Sequence, residues 1–427
     1  MKKTRLVTIA IFAALIISEP ARDVSATEAE GVFDLSQAVK EALEKNPEIQ
    51  SFRQHLQSAS ARAKQAPYLE DPEIVLQTWD VPLSNPTNLS RAGNNMIGIR
   101  QKLPFFGKLG LKEKIALQET KVVEQELRAK EREIISNVKM AYADLFMAQK
   151  SIEIFREQSE IMRTITRATE ARYQVGKVTQ QDVFKSLLEQ SEIMNRLIVA
   201  EEERRGAEVK LNTLMFHPPQ NPIQLPAEVA VPEPRLDFPN LQELALANRP
   251  ELKGAEDQIE RSEKMYDLAD KNRKFPDFMI GWDYSYMPTE MTDKNRYQGM
   301  VNITIPFSPW TIGRHNYELE EALAENRAAR AARDATRNMT LREVGESYAK
   351  LQAATKSLAL YREGILSQAE LSFRAAMSAY QTGQVEFVNL LEAERALREA
   401  RMGYFRAQVN LMQSLADLER GVGKELQ

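Results

Sequence analysis

Few side chains in this sequence are equipped for covalent or metal chemistry. Cysteine is absent, which removes thiolate nucleophiles, thiolate metal sites and disulfides. The three histidines, His55, His217 and His315, fall in different predicted elements and lack the short spacing of a ligand set. No phosphate loop, dinucleotide fingerprint or nucleophile elbow occurs. Acidic and basic residues number 61 and 57, but their density on predicted helices is that of solvated faces with i,i+4 pairing. The expectation is a protein without catalytic residues, metal site or cofactor. The residues left to explain are two glycines that interrupt helices.

"YQVGKVTQQD" at 173–182 and "YQTGQVEFVN" at 380–389 share the signature Tyr-Gln-x-Gly-x-Val. Each sits in a long amphipathic helical pattern, where glycine costs about 1 kcal/mol relative to alanine. Glycine permits a tight reversal and leaves backbone exposed. Thr179 with Asp182 reads as a capping box that starts the returning helix.

The elements that position these turns come in two copies. "ALEKNPEI" at 42–49 is echoed by "ALANRPEL" at 245–252, and "QKLPFFGK" at 101–108 more loosely by "TIPFSPW" at 304–310. The first repeat covers 27–216 and the second 240–427, separated by the proline-rich connector 217–239. The first copy predicts a helix over 35–64, strands near 72–81 and 96–104, a long helix over 108–172 and a return helix over 179–216. The second predicts helices over 240–274, 314–379 and 386–421, with strands over 277–287 and 299–307. Ile134, Val138, Ala141, Leu145, Ala148, Ile152, Phe155 and Met162 follow heptad steps, with polar Ser159 at one of them, and so predict coiled-coil packing. A helix of some 65 residues reaches roughly 100 Å, the dimension of a rod or tube.

Residues 1–26 read as a secretory signal peptide: Lys2, Lys3 and Arg5, an apolar run over 6–17, and Val24-Ser25-Ala26 as a cleavage site. They carry four basic and two acidic side chains, so their removal shifts the net charge from −4 to −6, away from a nucleic-acid binder. No other stretch approaches 18 apolar residues, so any membrane crossing falls to β-strands. Phe278, Ile280, Trp282, Tyr284 and Tyr286 form one apolar face, as do Val301, Ile303 and Ile305. In the first copy Ile97, Ile99 and Leu103 do the same, with Gln101 an imperfection. Such faces suit lipid-facing barrel strands, or a half-buried sheet in a soluble domain; the export signal favours the barrel. Four strands cannot close a barrel, since the smallest need about eight, so several protomers must share it.

In order and in duplicate, the Asn/Arg-Pro-Glu-Ile/Leu segments, the strand exit "LPFFGKLGLKEKIA" and the paired glycine turns resemble the TolC-like outer-membrane efflux protein family over nearly the whole mature chain. The resemblance implies a mainly α fold with a small β part: a homotrimer whose four strands per protomer make a 12-stranded transmembrane β-barrel, continued by an α-helical barrel of long hairpins. It implies location in the outer membrane of a Gram-negative bacterium, with the helical part in the periplasm and the connector in an equatorial belt. The implied partners are a periplasmic adaptor and an inner-membrane pump of the RND type, with outer-membrane lipid around the barrel. The implied activity is passive conduction of solutes. Adaptor docking carries over to Tyr173, Gly176, Tyr380 and Gly383, which are otherwise simply good turns. The entrance gate carries over to Gln384, Val385, Asn389 and Glu392. Family members with an acidic constriction have two aspartates where this sequence has Asn389 and Glu392, so one carboxylate ring replaces two. Three Glu392 side chains around a narrow axis attract cations; the alternative is a solvated helix residue. The strand exit is similar to that of the heavy-metal, CusC-like and CzcC-like, branch, which points to metal cations as cargo. Drugs or a secreted protein are alternative cargoes. A periplasmic adaptor or a structural coiled-coil protein are alternative classes, but the first lacks its lipoyl-like β segments here and the second explains neither strands nor duplication.

Overall fold

The computed structural model describes residues 33–229 and 237–426. The predicted signal peptide and part of the connector lie outside the described residues. Helices α1 (Leu35–Lys45) and α2 (Pro47–Gln65) lead into strands β1 (Glu73–Trp79) and β2 (Asn94–Leu103). Helix α3 (Lys108–Gln174) descends to the first glycine turn and α4 (Gln180–Leu214) returns. The second copy repeats the order with α5 (Phe238–Asn248), α6 (Pro250–Lys274), β3 (Asp277–Tyr286), β4 (Asn295–Thr304), α7 (Ile312–Leu360), α8 (Leu366–Thr382) and α9 (Phe387–Val422).

Two predicted single helices are each broken in two. Pro47 and Pro250 lack an N–H and push the preceding residue out of the helical region, which ends α1 at Lys45 and α5 at Asn248. The breaks are seats for other helices. Asn46 Oδ1 accepts from the Glu48 and Ile49 amides at 2.9 and 3.4 Å, while its Nδ2 donates to the Leu214 carbonyl at 2.9 Å. The end of α4 is thereby held on the α1–α2 elbow. Arg249 occupies the matching elbow, buried between Glu251 and Glu343, and the α9 terminus at Gly423 packs on its backbone. Proline likewise shapes β4, which ends at Thr304, ahead of Pro306, rather than continuing to 307. The second long helix carries a π-turn at Tyr361–Ile365 between α7 and α8. The connector's last two residues, Phe238 and Pro239, already belong to α5.

The strands form one antiparallel sheet in the order β1-β2-β3-β4, so the β2–β3 pairing joins the two copies. Both outer edges, on β1 and β4, are unpaired among the described residues. Helix α3 packs along α4, α6, α2 and α9 and is the spine of the helical part. The heptad residues from Ile134 to Met162, Ser159 included, are all buried, as their spacing predicts. Around the middle of α3, Tyr142, Leu145 and Phe146 pack with Leu211 and with Ile223 and Leu225 of the connector.

The candidate gate, docking tips and sheet face

The two glycine turns are built alike. Gly176 and Gly383 have φ of +69° and +79°, the left-handed conformation that penalises a Cβ. At the first turn the Gly176 amide donates to the Tyr173 carbonyl and that of Lys177 to Arg172, both at 2.9 Å. At the second, Gly383 donates to Tyr380 at 3.0 Å and Gln384 to Ala379 at 2.8 Å. Both are Schellman closures, which satisfy the last carbonyls of the descending helix. The return helices start differently. Thr179 and Asp182 form the expected capping box, with the Thr179 amide donating to Asp182 at 3.0 Å. At the matching positions Glu386 makes no side-chain cap and Asn389 cannot replace Asp182. The second return helix therefore starts without a side-chain cap.

The tips also touch each other. The Arg172 guanidinium donates to the Tyr380 carbonyl and lies over its ring, 4.6 Å from the centroid. The hydroxyls of Thr169 and Tyr380 are 3.0 Å apart. Tyr380 is therefore 2% exposed and packs edge-on against Phe387, whereas Tyr173 is 45% exposed. The ring of Tyr380 is thus buried as an anchor between hairpins, while that of Tyr173 is open. Gly176 has nothing near the position of a Cβ; at Gly383 that position is 3.2 Å from Arg172. Of the gate residues, Gln384, Asn389 and Glu392 are exposed and Val385 packs partly against the cluster of Met162, Ile165 and Leu390.

A second feature escaped the sequence. Glu189 of α4 and Glu394 and Arg398 of α9 meet between the hairpins and are all but inaccessible, with Arg395 at the rim. Burial raises the Glu189 carboxyl, but hydrogen bonds from Arg395 and Arg398 outweigh it and hold the group below the usual carboxylate range. Glu394 and Arg398 read as an ordinary i,i+4 surface pair. The available signal was their place on the apolar stripe of Phe387, Leu390, Leu391 and Leu397.

At the other end, the register aligns apolar residues on one face of the sheet. Ile74 pairs with Ile99 and Ile99 with Trp282; Leu76 pairs with Ile97 and Ile97 with Tyr284. Ile280 pairs with Val301, Phe278 with Ile303 and Tyr284 with Tyr297. Ile280, Trp282, Tyr286, Val301, Ile303 and Ile305 are exposed, while Phe278 and Tyr284 are half-buried. Gln101 interrupts this face opposite Ile280, as expected. The opposite face carries Glu73 against Arg100, and Asp283 against Gln298. One side is largely apolar; the other carries the charged residues, with Trp79, Met96, Met279 and Met300 among them. Where β2 leaves the sheet, Phe105 stacks on Phe275 at 4.4 Å, and buried Lys108 reaches Asp277 at 2.8 Å and the Phe275 carbonyl at 3.0 Å. The strand exit thus locks the first copy onto the second.

The sequence profile of outer membrane efflux proteins matches residues 38–215 and 241–424, one segment in each half of the chain. The chain belongs to that family. This outer membrane efflux protein is 21% identical over 397 residues to the cobalt-zinc-cadmium resistance protein CzcC of Cupriavidus metallidurans, covering 93% of this chain and 91% of the relative. It is also 21% identical over 417 residues to the outer membrane efflux protein BepC of Brucella suis, covering 94% and 88%. Its fold is that of CusC, with a TM-score of 0.75 at 17% identity, covering 96% of this chain and 98% of the other. In this efflux protein no helix among the described residues is long and apolar enough to cross a membrane.

Proposed function

We propose that three copies of this outer membrane efflux protein close their sheets edge to edge into a 12-stranded barrel, continued into the periplasm by a tube of helical hairpins. The observation that carries this reading is the sheet itself: two edges unpaired among the described residues, and a largely apolar face, broken by Gln101, opposite the face that carries the charged residues. An exposed apolar sheet with open edges invites aggregation in water but is the required form of a barrel segment in lipid. Phe278, Ile280, Trp282, Tyr284, Tyr286, Val301, Ile303 and Ile305 face the lipid. The 67 residues of α3 give the tube a reach of roughly 100 Å.

In this reading residues 1–26 are the export signal, and the connector lies in the equatorial belt beside the Tyr142 core. The chain is a passive conduit fed by an inner-membrane pump of the RND type through a periplasmic adaptor. Exposed Tyr173 and the backbone at Gly176 and Gly383 are the docking points, with Tyr380 shaping them from beneath. Gln384, Val385, Asn389 and Glu392 line the entrance, and Glu392 supplies its one carboxylate ring. Metal cations are the favoured cargo, supported by the similarity to the cobalt-zinc-cadmium resistance protein CzcC.

Membrane extraction and gene deletion test the two levels separately. The protein is expected to resist carbonate washing of outer-membrane fractions and to cross-link as a trimer; release by salt or carbonate refutes the barrel. Deletion is expected to sensitise cells to copper, silver, cobalt or zinc. Unchanged metal tolerance with heightened drug sensitivity refutes the cargo.

A further inference from the structure

The charged cluster between the hairpins is unequally provided. Glu189 accepts from Arg395 Nε at 2.9 Å, from the Arg395 terminal nitrogen, and from Arg398 at 2.9 Å. Glu394 is 0% exposed and, among the described residues, accepts only from the same Arg398 nitrogen, at 3.3 and 3.5 Å. One guanidinium nitrogen therefore serves two buried carboxylates, and the one on its own helix receives the longer contacts. A buried carboxylate so poorly provided sheds its charge by taking a proton.

The surroundings point the same way. Arg395 and Arg398 on α9, and Glu189 and Arg196 on α4, are the charged groups acting on Glu394, and Glu192 of α4 acts on Arg395. Around neighbouring Leu390 and Leu391, α3 offers Met162 and Ile165, and α8 offers Phe373, Ala376 and Met377. None of these apolar neighbours compensates a charge.

We propose that Glu394 is a proton-operated clasp between the two hairpins: protonated it lets α9 seat against α4, and ionised it loosens that joint. Burial, against the pull of Arg398, pushes its carboxyl up to about 7, and the charge of Glu189 adds to the rise. A group whose pKa is higher packed than solvated stabilises packing below its solvated value. That stabilisation is lost as pH rises through the packed value, so acid tightens the joint and alkali frees it. With 4.5 when solvated and about 7 when packed, the packing equilibrium falls about 30-fold between pH 5.5 and 8.

Hydrogen exchange on the full-length protein, corrected for intrinsic rates, reads this directly. Protection of amides 390–400 is expected to fall about 30-fold from pH 5.5 to 8. Glu394→Gln, which mimics the protonated acid, is expected to remain protected at both pH values. Glu399→Gln, an exposed acid on the same helix, is expected to keep the wild-type response. Equal protection of the wild type at both pH values overturns the proposal, as does an undiminished response in Glu394→Gln. Failure of Glu394→Gln to fold also overturns it, because the clasp requires that form to be the better packed one.

Discussion

Replacing Arg172 by alanine is the sharpest probe of how the two tips are tied. The substitution removes a charge-assisted hydrogen bond to the Tyr380 carbonyl and a cation–π contact at 4.6 Å. A hydrogen bond to a charged group contributes roughly 1.5–3 kcal/mol and a cation–π contact roughly 0.5–2 kcal/mol. Arg172 is half-buried and the freed carbonyl, at a helix end, can bond to water, so the lower ends apply. The expected loss is about 2 kcal/mol, close to 30-fold in the equilibrium between joined and parted hairpins. In planar bilayers Arg172→Ala should therefore spend far more time in high-conductance states than the wild type. Tyr380→Phe removes only the hydroxyl contact with Thr169, about 1 kcal/mol, and should have a smaller effect of the same sign. The two changes share Tyr380, so the double variant should fall short of additivity. Wild-type conductance in Arg172→Ala, with unchanged exchange of amides 376–384, would refute the idea that this contact restrains the second hairpin.

Ile280→Arg places a charge at the middle of the apolar sheet face. In lipid it should cost about 2–4 kcal/mol and lower the yield of inserted trimer, whereas a water-facing sheet would tolerate it. Asn46→Ala removes the α2 cap and the hold on Leu214, and should lower thermal stability by about 2 kcal/mol per chain in calorimetry. Asn46→Asp should keep the cap but set a carboxylate oxygen against the Leu214 carbonyl, and so should not restore full stability. Glu392→Gln should weaken block of the conductance by multivalent cations; unchanged block would leave Glu392 as a solvated helix residue.

The long-period features were legible in the sequence because they repeat many times. The heptad of α3 gives eight apolar positions in register, and the alternation of β3 gives five. The elbows at Asn46 and Arg249 were quoted as motifs but read as continuous helix, since periodicity runs through a proline that only backbone geometry resolves. The place of Glu394 on the apolar stripe of α9 hints at burial, but its meeting with Glu189 was illegible, because the two belong to different copies and meet only in the fold. The unequal exposure of Tyr380 and Tyr173 was illegible for a similar reason: the two occupy matching positions, but Arg172 covers only the ring of Tyr380 among the described residues.

The joint between β2 and β3 sets the second strand of one copy beside the first strand of the other. In the proposed ring, β4 of each chain meets β1 of the next, which is again a second strand beside a first. The covalent link between the copies thus adds no new kind of contact to the wall; it turns a sixfold arrangement of half-chains into a threefold one. What duplication supplies is permission to differ. Six identical half-chains must all hold or all move, whereas alternate halves can divide the labour. The capped start of α4 after Gly176 and the uncapped start of α9 after Gly383 are that difference written at the tip.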